Sequence, residues 1–319
     1  MNILYSLLGL FLLTKGANYI VGSSLSFASR YSINSIIVGL TLVAFGTSAP
    51  EMAINISSNI KEVYDVAFSD IFGSSIFNNF LVLGIVFYFS KIKVNKRLLI
   101  REMPFGVASA TLLLILLNDS FFNNTAQNVL TRADGLSLLL FFIIFVWVLA
   151  TYKEGFFEHH QDAPSYSIPK TISLFLLGLF LVAIGSHVLI DSVIQIAESF
   201  SLSFKFLGVS LVAFSTSAPE LATAYYAIKS GHTNLIFGNI VGSNIFNILF
   251  ILGVSSTFSP MIYNAKALNS DLLIVLFAKI TLILMVLSSK QKRVLERKHG
   301  IFFLICFVLY LSFLFTQTS

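Results

Sequence analysis

Apolar residues run along this chain in long blocks, separated by short polar or basic segments. Several blocks approach the roughly 20 residues that an α-helix needs to cross a hydrocarbon core. The alternating ten-residue pattern of an outer-membrane barrel is absent. The pattern predicts ten helices, at about 2–27, 35–60, 66–90, 97–117, 134–152, 169–196, 203–229, 234–257, 269–288 and 300–316.

The chain also repeats itself. Residues 9–85 align without gaps with 178–254, and 28 of the 77 positions are identical. GLFL at 9–12 recurs at 178–181, LVAFGTSAPE at 42–51 recurs as LVAFSTSAPE at 211–220, and GSSIFN at 73–78 recurs as GSNIFN at 242–247. Five helices per repeat is an odd number, so the halves enter the membrane from opposite sides. The expectation is an all-α membrane protein of ten transmembrane helices, arranged as two inverted five-helix repeats. Residues 1–153 and 169–319 form the repeats, and residues 154–168 form a cytoplasmic linker.

Charge fixes the orientation. With the N-terminus outside, fourteen of the basic residues fall in cytoplasmic loops and four, Lys61, Arg132, Lys205 and Lys266, fall outside. That positive-inside bias puts both termini outside a cell (plasma) membrane. The first apolar run has no basic region before it and no clear cleavage pattern, so it is expected to remain. Composition agrees with a bilayer protein: 56% of the residues are apolar and 11% charged. The formal net charge of +5 is spread over loops, which argues against a nucleic-acid partner. The single cysteine, Cys306, allows no disulfide within one chain. His159 and His160 are read as part of a solvated loop. A monomer is the expected assembly.

Ionisable residues within apolar helices are costly, at least ~2.5–3.5 kcal/mol each, and mark function by default. Glu51 and Glu220 are such residues. Each follows a proline that removes a backbone donor, so the helix should loosen around Ala44 to Thr47 and around Ala213 to Thr216. A hard cation takes the carboxylate, carbonyl and hydroxyl oxygens that Thr-Ser-Ala-Pro-Glu supplies together. A kinked helix with neutral glutamates would also fit one copy, but two copies in an inverted repeat put both carboxylates near the midplane. The third helix of each half adds Asp70, Ser74 and Asn78, and Asn239, Ser243 and Asn247, each set four residues apart on one face. Ser74, Asn78, Ser243 and Asn247 are assigned to the ion site, whereas Asn239 suits interhelical hydrogen bonding equally well. Asp70 is read as an entrance carboxylate or as a complement to its helix dipole. Small residues at Gly73 and Gly242 should let this face approach a neighbouring helix.

These segments resemble the α-repeats of the sodium/calcium exchanger superfamily, whose hallmarks are G-T-S-x-P-E and G-N-x-x-G-S-N-x-x-N. The resemblance covers most of both halves. It implies calcium and sodium held alternately by Glu51 and Glu220. It also implies ligation by Thr47, Ser48, Ser74, Thr216, Ser217 and Ser243, and by Ala44 and Ala213 through their carbonyls. Helices one and six would slide across the other eight, with three sodium ions exchanged for each calcium. Ser69-Asp70 stands where Gly-Asn is usual, Ser75 replaces the asparagine kept at Asn244, and Ser215 replaces the glycine kept at Gly46. The amide of Asn247 points toward potassium independence. The resemblance implies that the transported ions are calcium and sodium, and no cofactor is expected.

A proton-coupled cation antiporter of the same superfamily is the alternative. An intramembrane enzyme fits poorly, because no H-E-x-x-H pair or nucleophile elbow is present. A passive channel needs a continuous pore, whereas broken helices at a midplane suit alternating access. Lys15 and Lys279, within predicted helices, have no assigned role.

Overall fold

The computed structural model describes residues 2–31, 33, 35–94, 96–122, 126–151, 164–199, 216–289 and 293–318. His159, His160, Lys205, Ala213, Ser215 and most of the expected linker lie outside the described residues.

The described chain is helical apart from four short strands. Helix α1 spans Asn2–Arg30 and α2 spans residues 35–47, with a π-helical turn at Gly39–Val43. Helix α3 spans Ala49–Ile60, and α4 spans Tyr64–Phe89 with a π turn at Phe77–Val82. After β1 (Ile92–Lys93) come α5 (Glu102–Leu116), β2 (Asn128–Leu130), α6 (Arg132–Ala150) and α7 (Ile168–Ser199). Helix α8 spans Ala218–Lys229, and α9 spans Thr233–Phe258 with a π turn at Asn247–Ile251. Strand β3 (Met261–Tyr263), α10 (Ala265–Ser288), β4 (Val294–Leu295) and α11 (Arg297–Thr318) complete the chain. Seven helices among the described residues are long and apolar enough to cross a membrane.

Helices α4 and α9 form the centre. In their most apolar windows 83% and 94% of residues are buried, against 22–39% for the other five candidate spans. Phe68, Phe72, Phe80, Phe87 and Phe237 fill the space between them and their neighbours. The outer helices keep apolar side chains exposed, among them Leu136, Trp147, Leu284 and Leu309. Lipid covers such a surface at no cost, since tails are as apolar as the side chains.

Contacts between the halves come in matched pairs. Strand β1 pairs antiparallel with β4, and β2 with β3. Helices α1 and α7 cross at small residues: a Cβ on Gly16 would lie 2.7 Å from the Gly178 carbonyl oxygen, and one on Gly185 would lie 3.0 Å from that of Gly9. Local signals set the helix ends. Thr131 caps α6, accepting from the Asp134 backbone N–H at 3.3 Å while Asp134 Oδ2 accepts from the Thr131 N–H at 2.8 Å.

Candidate functional site

The first Thr-Ser-Ala-Pro-Glu segment breaks its helix as a proline should, but not where loosening was expected; the expected loosening around Ala213 to Thr216 lies mostly outside the described residues. Ala44–Thr47 stays helical, the ladder widens one turn earlier into the Gly39–Val43 π turn, and the break falls at Ser48 (φ −84°, ψ 7°). Pro50 then sits in the first turn of α3, where its missing N–H costs nothing. Ser217 (φ −84°, ψ 0°) and Pro219 repeat this at the start of α8. Glu51 and Glu220 each fall in a first helical turn, where the helix dipole favours a carboxylate.

The expected site residues that are described share the buried interior, and hydrogen bonds join some of them. Glu51, Glu220, Thr47, Ser48, Ser74, Asn78, Thr216, Ser217, Ser243, Asn247 and Ala44 are all buried, none more than 2% exposed. The Ser217 hydroxyl donates to Ser74 Oγ at 3.2 Å, and Ser74 Oγ donates to Glu51 Oε1 at 2.9 Å. That chain ties α8, α4 and α3 together. Thr216 Oγ1 donates to Asp70 Oδ1 at 3.0 Å, and Thr47 Oγ1 donates to Asn239 Oδ1 at 3.3 Å. These last two bonds join equivalent positions of the two repeats in crossed fashion.

Other groups lack partners. Glu51 Oε2, both Glu220 oxygens, Asp70 Oδ2, Ser48 Oγ and both amide atoms of Asn78 and Asn247 are buried without a protein hydrogen bond. Thr47 stands near Glu220, and its hydroxyl lies 3.3 Å from Asn239 Oδ1 and 3.5 Å from the Ala44 carbonyl oxygen. Each unpaired buried polar group costs ~1–3 kcal/mol, so a cation that coordinated these oxygens would remove a standing penalty. Glu51, Glu220 and Asp70 lie within electrostatic reach of one another. Among the described residues no three His, Cys, Asp or Glu side chains cluster closely enough to hold a metal alone.

Several expectations change. Asp70 is 1% exposed and lies beyond the first turn of α4, so it is neither an entrance group nor a dipole complement. It is a third acid beside the two glutamates. Asn239 takes the hydrogen-bonding role left open for it. Ser243 bonds back to its own helix, at 2.9 Å from the Asn239 carbonyl oxygen, and not to Glu220. Gly242 does permit close approach, since a Cβ there would lie 2.5 Å from the Leu40 carbonyl oxygen. Lys15 is exposed on α1, its Nζ 5.9 Å from the Phe11 ring centroid, whereas Lys279 is buried beside Asn79 and Asn244. Sequence reasoning missed the π turns and the polar face of α3, Asn55, Ser58 and Asn59. The spacing of four from Glu51 to Asn55 to Asn59 was the available signal.

A broken-helix bundle with buried, under-coordinated carboxylates at its centre defines a membrane ion transporter. The sequence profile of the sodium/calcium exchanger protein family matches residues 1–151 and 170–316, and the chain belongs to that family. It is 28% identical to the sodium/calcium exchanger MaX1 of Methanosarcina acetivorans, over 98% of both chains. It is 32% identical, again over 98% of both, to CaxA of Alkalimonas amylolytica, which is provisionally named an antiporter. The fold matches the sodium-calcium exchanger NCX_Mj, solved after soaking with sodium and strontium, with a TM-score of 0.82 and 27% identity over 98% of this chain and 97% of that one.

Proposed function

We propose that this protein is a secondary active antiporter that exchanges sodium for calcium by alternating access, both ions competing for a midplane site centred on Glu51 and Glu220. The observation that carries the reading is the pair of buried carboxylates at two broken-helix N-termini, with three of their four oxygens lacking any hydrogen-bond donor. Thr47, Ser48, Ser74, Asn78, Thr216, Ser217, Ser243 and Asn247 supply neutral oxygens, with the carbonyls of Ala44 and Ala213. Calcium takes such mixed oxygen sets readily. Ten transmembrane helices in two inverted repeats, 1–153 and 169–319 joined by a cytoplasmic segment at 154–168, place the glutamates on opposite sides of one axis. Both termini lie outside the plasma membrane, and a monomer suffices. The matched cross-half contacts support this arrangement.

Proton coupling is the second reading, and Asp70 is the observation that favours it. Three buried carboxylates exceed the charge of one calcium ion, and a retained proton would balance the excess. Radioactive calcium uptake into proteoliposomes, with sodium, potassium or proton gradients imposed separately, distinguishes the two. Uptake driven by sodium alone supports sodium exchange, and uptake driven by protons alone overturns it.

A further inference from the structure

Below Glu51, the buried face of α3 is polar throughout: Glu51, Asn55, Ser58 and Asn59 are its buried residues. Glu51 Oε2, Asn55 Oδ1 and Asn59 Oδ1 are one helical turn apart in succession, and none accepts a hydrogen bond. The Asn55 amide donates to the Ala67 carbonyl oxygen at 3.0 Å, and the Asn59 amide donates to those of Ser255 and Ser259 at 2.6 and 3.2 Å. The amide nitrogens are thereby anchored, leaving the oxygens free. The row runs roughly 12 Å from Glu51. It reaches a cleft of 410 Å³ where Asn59, Glu62, Ser255 and Ser259 line one part and Ile56, Ile60 and Phe258 the rest, and where the buried Ser255 hydroxyl is also unpartnered.

The second half provides an internal control. At the equivalent positions on α8 stand Ala224, Ala227 and Ile228, so the same fold packs there without polar groups. The turn after α3 requires a left-handed backbone, and the second half uses Gly231 (φ 76°) there. The first half has Glu62 (φ 57°), which places a carboxylate at the cleft at a conformational cost that glycine would avoid. The amide nitrogens tie α3 to its neighbours, but that role does not account for the row of unpaired oxygens or for the acid.

The geometry points to an access route for cations between the Glu62 face and Glu51, with Asn55, Asn59 and Ser255 as stepping oxygens and Glu62 as its electrostatic mouth. Hard cations shed water onto amide and hydroxyl oxygens, and a carboxylate at a mouth raises their local concentration. This inference rests on the exchange reading only for the identity of the cation.

The test places a thiol on the route. In a Cys306→Ala background, Asn55→Cys should react with a cationic methanethiosulfonate applied from the Glu62 face, at least tenfold faster than with an anionic one. Asn59→Ile, which copies the second half, should slow calcium association at least tenfold in stopped-flow mixing while changing the equilibrium Kd less than twofold. Glu62→Gln, on an exposed turn where folding is not at stake, should slow association at low salt and match wild type at high salt. An unreactive thiol, equal rates for both reagents, or an unchanged association rate in both Asn59→Ile and Glu62→Gln would overturn the route. Charge-selective thiol modification in a protein that binds no calcium would support the route and overturn the exchange reading alone.

Discussion

Thr216 donates a hydrogen bond to Asp70 at 3.0 Å, and Thr47 donates the equivalent bond to Asn239 at 3.3 Å. The same bond is thus made once to a carboxylate and once to an amide. The neutral residue meets the structural need, so the charge of Asp70 is surplus to it. Asp70→Asn should therefore keep the fold, with its melting temperature within a few degrees of wild type. It should weaken calcium binding by roughly tenfold, about 1.4 kcal/mol, through loss of a nearby negative charge. Because Asp70 is buried within electrostatic reach of both glutamates, calcium titrations from both membrane faces should register the loss. A loss confined to one face would restore an entrance role.

The two halves treat their serines differently. Ser74 bonds to Glu51 and Ser217, whereas Ser243 bonds to its own helix backbone. Ser74→Ala leaves a buried carboxylate oxygen unpaired and should cost ~1–3 kcal/mol, against under ~1 kcal/mol for Ser243→Ala. Thermal melting of the ion-free protein checks the order, and equal losses would contradict the asymmetry.

The crossing of α1 and α7 leaves no room for a methyl group at Gly16, where an added Cβ would meet the Gly178 carbonyl oxygen and Val182 Cγ2, both at 2.7 Å. Gly16→Ala should destabilise by ~1–3 kcal/mol as the helices are forced apart. Gly22, on the same helix, has its nearest neighbour at 3.9 Å, and Gly22→Ala should be neutral or slightly stabilising. Paired melting curves decide it.

Much of this was legible in the chain. The apolar blocks located most of the described helices to within a few residues, because in a bilayer every backbone polar group must bond within its own segment. The block at 35–60 is two helices, and the expected helix at 203–229 is described only from residue 216 onward. The repeated Thr-Ser-Ala-Pro-Glu segments located both glutamates and the neighbouring hydroxyls. The π turns were not legible, since Gly39–Val43 and Phe77–Val82 carry no proline and widen only in response to tertiary packing. The burial of Asp70 was missed for a related reason: its place one turn outward of Ser74, near the expected helix start, suggested a mouth, whereas Thr216 of the other half hydrogen-bonds it in the buried interior. The β1–β4 and β2–β3 pairings join segments too short to carry a strand pattern.

Voltage should drive the cycle. With Glu51 and Glu220 ionised, one calcium leaves the site neutral and three sodium ions leave it with one positive charge. Each elementary charge crossing 100 mV is worth ~2.3 kcal/mol, so a potential negative inside should drive sodium in and calcium out. Ionisation of Asp70 would shift both loaded states equally and preserve the difference. Calcium flux in proteoliposomes clamped by potassium and an ionophore, at a fixed sodium gradient, should reverse at a voltage-dependent point. A voltage-independent reversal would indicate two sodium ions or two protons per calcium.

The central claim is that both glutamates hold calcium, and Glu51→Gln and Glu220→Gln test it most directly. Each removes one of two charges set against a divalent ion, at a position where the protein supplies few other donors or charges. Calcium binding to purified wild type, Glu51→Gln and Glu220→Gln should be measured by equilibrium titration, with membrane insertion and melting verified for each. The account predicts that either substitution weakens binding by at least roughly hundredfold, about 2.7 kcal/mol, and abolishes exchange. Calcium affinity close to wild type in either inserted, folded variant would contradict the two-carboxylate site.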